Sequence, residues 1–187
     1  MFKKIAAVLM ACVVTTAAML GSAGSASAAG VSRAALAKAA SAVEYEKVGG
    51  SLYGHYKKAP GYATQLNWTK DGCSIPTAAL VTAAILSPAT FAAMVKYKGV
   101  FKSSCDRHDF GYRNYGKNTT TPGPHLKLNP TTARKNSIDA KFLSNMNIQC
   151  DRAYGFPYVS RTACKVAAKG FYVAVNKTSQ GHKAFFG

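Results

Sequence analysis

The chain has 187 residues, with 24 lysines and arginines against only seven aspartates and glutamates, and its formal net charge is +17. This length is sufficient for one domain with its own core, and the charge disfavours cationic partners. Membrane surfaces, nucleic acids and acidic wall polymers remain as candidate partners, and charge alone does not choose among them.

The first 28 residues have the pattern of a secretory signal peptide. Two lysines precede an apolar segment over residues 5–20, and Ala26 and Ala28 frame a small-residue cleavage site. We place cleavage after Ala28, which leaves residues 29–187 as one domain with a net charge of +15. We therefore expect a secreted, extracellular protein.

The first half of this domain predicts one clear helix and one long uncharged segment. The alanine-rich residues 32–46 predict a helix, and residues 51–62 predict an irregular segment after a glycine pair. Residues 72–95 carry no charge. Because two prolines interrupt this stretch, we favour a short buried or interfacial helix over residues 77–86 rather than a membrane-spanning one, and we expect that helix to form part of a lipid-contacting wall.

The second half predicts three further helices. The first covers residues 101–115, with Ser103 or Ser104 as its N-cap, and the second follows Asn129 and Pro130, read as N-cap and first helical position. Loops are predicted over residues 117–129 and 153–160. The last helix is marked by apolar positions from Cys164 onward. No alternating strand pattern is present in the sequence, so the fold is predicted to be mainly α.

Four cysteines remain once the signal peptide is removed: Cys73, Cys105, Cys150 and Cys164. An even number of cysteines in an exported protein predicts disulfides. Of the three possible pairings we favour the most local one, Cys73–Cys105 with Cys150–Cys164. A zinc site built from four thiolates is disfavoured because no close CxxC pair is present.

Asp139 is a carboxylate at the edge of an apolar helical stripe, where it needs a partner. Lys135, four residues earlier, could form an ordinary surface salt bridge with it. An imidazole from another helix is the alternative partner. Spacing alone leaves these two possibilities open.

The segment CDRHDFGYRNY, residues 105–115, holds two of the seven acidic residues of the chain. His108 could act as a general base, because histidine side chains exchange protons near neutral pH, and Asp109 could supply oxygen ligands to a hard cation such as calcium. The pair Asp71-Gly72 precedes Cys73, so a Cys73–Cys105 disulfide would draw Asp71 toward the same helix. The alternative is that His108 and Asp109 have a structural role and that Asp71-Gly72 is a turn.

Three segments together resemble the secreted phospholipase A2 superfamily in its bacterial and fungal form. They are WTKDGCS (68–74), CDRHDFGYRNY (105–115) and ARKNSIDAKFLSNMNIQC (133–150), and the central one is highly specific. The resemblance covers about residues 65–165. It implies a small disulfide-stapled helical domain in which two central antiparallel helices carry the His/Asp site.

The same resemblance implies the activity and the residues that carry it. His108 matches the catalytic base and Asp139 the aspartate that orients it, while Asp71, Asp109 and the main-chain carbonyl of Gly72 match the ligands of a calcium ion (Ca²⁺). The implied reaction is calcium-dependent hydrolysis of the sn-2 acyl ester of a glycerophospholipid by an activated water. No serine nucleophile is needed, and the GxSxG motif is absent from the sequence.

The implied partner is a phospholipid at a membrane or micelle interface, bound by a monomer. One rival is a cationic membrane-binding or antimicrobial protein in which the site is vestigial. Another is a nucleic-acid binder or metal-dependent nuclease. We expect no specific nucleic-acid binding, because the basic residues are scattered along the sequence and no recognised binding motif is present.

Overall fold

A computed structural model describes residues 30–74, 87–156 and 158–187, and the structural statements below refer to these residues. These residues form eight helices and no strand, which confirms the mainly α prediction. The helices are α1 (Arg33–Tyr45), α2 (Leu52–Lys58), α3 (Tyr62–Gln65), α4 (Pro88–Tyr97), α5 (Lys102–Tyr115), α6 (Thr132–Ala153), α7 (Tyr158–Asn176) and α8 (Ser179–Phe186). The expected signal peptide and the expected helix over residues 77–86 lie outside the described ranges. Within those ranges, no helix has the length and apolar character needed to span a membrane.

Helices α5 and α6 form the predicted central antiparallel pair. Ser104, near the start of α5, hydrogen-bonds Gln149, near the end of α6. Further along α5, a Cβ added at Gly111 would lie only 3.0 Å from a side-chain carbon of Ile138. Glycine at this position therefore allows the two helices to approach closely in the part of the pair that carries the candidate site.

Two apolar clusters hold this helix pair from opposite sides. The first joins α1 and α8 to the pair and includes Phe110 and Phe185, both fully buried. The second joins α4 and α7 to the pair and includes Phe101, Met146 and Phe171. Because α5 and α6 contribute side chains to both clusters, the polar groups on their shared face are fixed by close packing around them.

Both predicted disulfides are confirmed. Cys73 is bonded to Cys105, with 5.3 Å between their Cα atoms, and Cys150 is bonded to Cys164, with 5.7 Å between theirs. The first ties the segment before the undescribed residues 75–86 to α5, and the second ties the end of α6 to α7.

The predicted N-cap of α5 is wrong. Ser103 and Ser104 both lie inside the helix, which begins after Phe101, and no side chain caps it. The main-chain N–H of Cys105 donates to the carbonyl of Phe101 over 2.9 Å, so both serines lie within the first turn of the helix. Ser104 uses its hydroxyl for the contact with α6 instead.

The predicted start of α6 is also displaced. Asn129 is not its N-cap, because Thr131 takes that position and its hydroxyl oxygen accepts the N–H of Arg134 over 3.2 Å. Asn129 instead accepts a hydrogen bond from the Thr131 hydroxyl over 2.9 Å, and so supports the residue that caps the helix.

Two segments that were predicted to be irregular contain helix. Residues 51–62 include α2 and the start of α3, and α7 begins at Tyr158 inside the predicted loop over residues 153–160. The free main-chain N–H groups at the start of α2 find their acceptor outside the predicted irregular segment. The Glu46 carboxylate accepts the N–H groups of Leu52 and Tyr53 over 2.9 and 3.4 Å.

Candidate active site

His108 and Asp139 face each other across the α5–α6 contact. The distance from His108 Nε2 to Asp139 Oδ1 is 3.0 Å, and the exposed fraction of the side chain is 7% for the histidine and 0% for the aspartate. Residues 31 positions apart in sequence are therefore joined by one buried hydrogen bond. The predicted general base and the residue predicted to orient it are brought together.

Asp139 receives four hydrogen bonds, divided between its two oxygens. Oδ1 accepts from His108 and from the Tyr112 hydroxyl, the latter over 2.8 Å. Oδ2 accepts from Lys135 Nζ over 2.8 Å and from Asn176 Nδ2 over 3.0 Å. The imidazole and Lys135, which the sequence left as alternatives, are both partners, one on each oxygen.

These contacts keep Asp139 ionised. Burial alone would raise the pKa of this carboxyl, but the hydrogen bond and charge of His108, followed by the bonds from Lys135 and Asn176, outweigh it and lower the pKa to about 2. An ionised carboxylate can only accept hydrogen bonds, so the proton between the two side chains sits on Nε2. The neutral imidazole then has Nδ1 unprotonated and able to accept a proton.

The imidazole ring is also held between two aromatic side chains. Its centroid lies 4.1 Å from that of Tyr112 and 4.5 Å from that of Phe142. Burial and the negative charge of Asp139 raise the pKa of Tyr112, so its hydroxyl keeps its proton and remains a donor to the carboxylate. The ring orientation is therefore set by packing on its faces as well as by the hydrogen bond at its edge.

The three candidate calcium ligands lie next to this pair. Asp109 Oδ2 accepts the main-chain N–H groups of Asp71 and Gly72 over 3.1 and 3.2 Å. Arg113 lies beside both carboxylates, 3.5 Å from Asp109 Oδ1 and 3.7 Å from Asp71 Oδ1. Asp71 and Gly72 are thus bound to the turn of α5 that carries the candidate base, and the disulfide at Cys73 adds a covalent link.

A cavity of about 290 Å³ connects these groups. Its polar end is formed by residues 71–74 together with His108, Asp109 and Arg113, and its apolar part by Phe142, Phe171 and residues of α7 and α8. A cavity lined at one end by the His108 imidazole and the carboxylates of Asp71 and Asp109, with apolar walls beyond them, fits a molecule with a polar reactive group attached to a hydrocarbon chain.

The model of one family, described as prokaryotic phospholipase A2, matches residues 50–179, which is more than half of the chain. The chain belongs to the prokaryotic phospholipase A2 family. The matched range contains all five candidate site residues and all four cysteines of the two disulfides. No curated protein and no solved structure matches the chain.

The donors that this phospholipase A2 family member offers a cation suit calcium. Two carboxylates and main-chain oxygens are the hard ligands that calcium takes in proteins. Burial, and then the negative charge of Asp71, raise the pKa of Asp109 to about 7, so a proton competes with a cation for this carboxylate near neutral pH. In the described ranges no three His, Cys, Asp or Glu side chains converge on one point, so any cation bound here would need main-chain and water oxygens as well.

Several contributors to the site were not singled out from the sequence. Tyr112 and Arg113 each lie four residues after the site residue that they support, His108 and Asp109, and helical spacing could have identified both. Lys135 was considered only as the partner in a surface salt bridge, one of two open alternatives, but its side chain is 4% exposed. Asn176 is 37 residues from Asp139, and no local pattern connects the two.

Proposed function

We propose that this protein is a secreted phospholipase A2 that hydrolyses the sn-2 acyl ester of glycerophospholipids and depends on calcium. The observation that carries the proposal is the buried His108–Asp139 pair, whose imidazole lines a cavity with apolar walls beside the carboxylates of Asp71 and Asp109. Membership of the prokaryotic phospholipase A2 family supports the same activity.

The proposed reaction begins with proton removal from water by His108. Nε2 is engaged with Asp139, so Nδ1 is the nitrogen that takes the proton as the water oxygen attacks the ester carbonyl. The ionised Asp139 holds the ring in this tautomer and stabilises the imidazolium that forms. The imidazolium then returns the proton to the leaving alcohol, which gives a fatty acid and a lysophospholipid.

Calcium would be held by the carboxylates of Asp71 and Asp109 and by the carbonyl of Gly72. When bound, it supplies positive charge that polarises the ester carbonyl and stabilises the developing oxyanion. Arg113 holds the two carboxylates near each other, and the N–H groups of Asp71 and Gly72 fix Asp109. The donors are therefore positioned by contacts within the protein itself.

The setting proposed for this activity is extracellular. The two disulfides suit an oxidising compartment, and the signal-like residues 1–28 would direct export. The proposed partner is a phospholipid in a membrane or micelle, and the proposed active species is a monomer. The net positive charge would favour anionic surfaces.

Product analysis of a phospholipid labelled differently in its two acyl chains tests the proposal. We expect release of the sn-2 label alone, with calcium present, and loss of release in the presence of a chelator. Membrane leakage that persists in chelator without any fatty acid release would instead support the rival, a cationic membrane-binding protein with a vestigial site.

A further inference from the structure

A second depression lies on the other side of the segment that carries Asp71 and Gly72. It has a volume of about 500 Å³, and residues 71–74 line both it and the candidate active-site cavity. Its remaining lining residues are Lys70, Lys98, Gly99, Lys102 and Asp106. Three lysines therefore surround a space that only one short stretch of chain separates from the candidate catalytic residues.

Two of these lysines share one carboxylate oxygen. Lys70 Nζ lies 2.6 Å and Lys102 Nζ 2.9 Å from the same oxygen of Asp106, Oδ2. The Asp106 carboxylate thus binds two ammonium groups but balances the charge of only one, so this group of three side chains carries a net positive charge beside the depression. Each ammonium group has three N–H donors and uses one of them on Asp106, so further donors are free for another acceptor.

Lys98 adds a further positive charge, while Asp71, the other carboxylate that lines the depression, lies 3.7 Å from Arg113. The side chain of Lys98 is exposed at the rim, and no carboxylate of the described residues lies within ion-pair distance of it. The first turn of α5, which begins at Lys102, carries no acidic residue and no side-chain cap. The N–H groups of that turn therefore add partial positive charge next to the three ammonium groups.

We propose that this depression is a phosphate subsite that binds the headgroup of the substrate, so that the enzyme prefers phospholipids whose headgroup ends in a phosphomonoester. The proposal rests on the proposed phospholipase A2 activity. A lipid whose ester lies in the cavity at His108 has its headgroup at the polar end, where residues 71–74 separate the two spaces. A headgroup that reaches over this segment meets Lys70, Lys98 and Lys102.

Lys98→Met is the cleanest variant for a test, since Asp106 keeps both of its lysines. Lys57→Met is the matched control, because Lys57 is an exposed lysine on α2 that lines neither space and its loss changes net charge equally. The substrates are short-chain phosphatidic acid and short-chain phosphatidylcholine below their micelle concentrations, so that attraction to a charged surface does not contribute.

The parent should show a higher kcat/KM on phosphatidic acid than on phosphatidylcholine. Lys98→Met should lower the value on phosphatidic acid about five- to tenfold, as expected for a lost charge-assisted hydrogen bond at an open site, and lower that on phosphatidylcholine much less, because its phosphate is a diester with less negative charge. Lys57→Met should match the parent on both. Equal loss on both lipids, or no loss in Lys98→Met, would overturn the subsite.

A binding measurement without lipid separates this inference from the proposed function. Inorganic phosphate is titrated at constant ionic strength against chloride and followed by NMR. It should shift the amide signals of Gly99 and Ser103 in the parent and in Lys57→Met, and shift them much less in Lys98→Met.

No shift in the parent would refute the subsite even if the protein is an active phospholipase. Phosphate binding without any hydrolysis would refute the proposed function and with it the headgroup assignment. Phosphate binding with equal kcat/KM on both lipids would show a site for the free ion only.

Discussion

Lys135 and Asp139, one turn apart on α6, form a buried ion pair in which Nζ lies 2.8 Å from Oδ2, while His108 occupies the opposite oxygen of the same carboxylate. The ammonium group of Lys135 also donates to the carbonyl of Val175 over 2.8 Å. Asp139 is thus tied at once to the candidate base and, through Lys135 and Asn176, to the end of α7, whose Val175 lines the cavity.

We expect Lys135→Met to be costly for stability. Methionine has a similar length and removes the charge, which leaves Oδ2 of a fully buried carboxylate with one donor fewer. Breaking one side of a buried ion pair destabilises a protein by about 3–5 kcal/mol. Urea denaturation of Lys135→Met and the parent measures this difference.

A double variant controls for the loss of side-chain packing. Lys135→Met combined with Asp139→Asn removes both charges, so its cost should be clearly less than the sum of the two single costs. A loss below about 1 kcal/mol in Lys135→Met, which is the range of exposed pairs, would contradict a buried structural role for this lysine.

The second prediction concerns turnover by the His108–Asp139 pair. His108→Ala should lower kcat by roughly 10²–10⁴-fold, the usual contribution of a general base, while the protein stays folded and binds calcium like the parent. Some loss of stability is expected, because a buried ring and one hydrogen bond to Asp139 are removed. Asp139→Asn should lower kcat less, because Tyr112 and Phe142 still pack against the ring. Initial rates on a short-chain phospholipid measure both effects. Near-parental lipolysis in His108→Ala would rule out its role as the base.

The sequence predicts most of the helical content because helix-forming residues and apolar spacing are local signals. It does not predict α2, whose first N–H groups are satisfied by Glu46, a residue held in turn by Arg107 at 2.9 Å. The sequence also does not predict α4, which begins at Pro88 because Ser87 accepts the N–H of Thr90 and proline is tolerated at the first helical position. A tertiary contact explains the difference at α2, and a Ser-Pro pair that is compatible with either a turn or a helix start explains the difference at α4.

The five candidate site residues came from one specific motif and two weaker ones. The structure brings four of them to one cavity, and the fifth, Asp139, is buried and hydrogen-bonded to His108. The electrostatic surroundings were harder to predict. Lys135 contacts the site because its side chain is buried, with 4% exposed. The sequence of one amphipathic helix does not show which of its polar residues will be covered by a neighbouring helix. Asn176 reaches Asp139 only because α7 packs along α6.

The third prediction is that calcium binding weakens as pH falls below about 7. Burial and the charge of Asp71 raise the pKa of Asp109 to about 7, so protons compete with calcium for this carboxylate near neutral pH. Calorimetric titration of calcium at several pH values between 5.5 and 8 measures the effect. A calcium affinity that is constant across this range would contradict the assignment of Asp109 as a ligand.

The same shift in the pKa of Asp109 has a consequence for stability without calcium. A carboxyl whose pKa is raised in the folded state binds a proton more tightly there than in the unfolded chain. The free energy of unfolding of the calcium-free protein should therefore decrease as pH rises from about 4, the ordinary value for aspartate, to about 7. Asp109→Asn is the control, because an amide does not titrate and this part of the pH dependence should disappear. Asp109→Asn should also bind calcium much more weakly at pH 8.

The last prediction compares the two disulfides. The chain-entropy model gives roughly 4 kcal/mol for the Cys73–Cys105 bond and roughly 3 kcal/mol for Cys150–Cys164, so their removal should cost similar stability. Their effects on activity should differ. Cys73 and Cys105 line the cavity, and their bond fixes the segment that carries Asp71 and Gly72 beside Asp109, whereas Cys150 and Cys164 do not line it.

We therefore expect the Cys73→Ser/Cys105→Ser variant to lose calcium affinity as well as stability, and the Cys150→Ser/Cys164→Ser variant to keep parental calcium affinity and kcat wherever it is folded. Both variants should be assayed well below their melting temperatures, with circular dichroism as the check of folding. In the Cys73→Ser/Cys105→Ser variant, the hydrogen bonds from the N–H groups of Asp71 and Gly72 to Asp109 remain, so some calcium binding should survive at high calcium concentration.

Equal losses of calcium affinity in the two folded variants would mean that the disulfides act only through stability. Parental calcium affinity in Cys73→Ser/Cys105→Ser would mean that those hydrogen bonds suffice to position the segment.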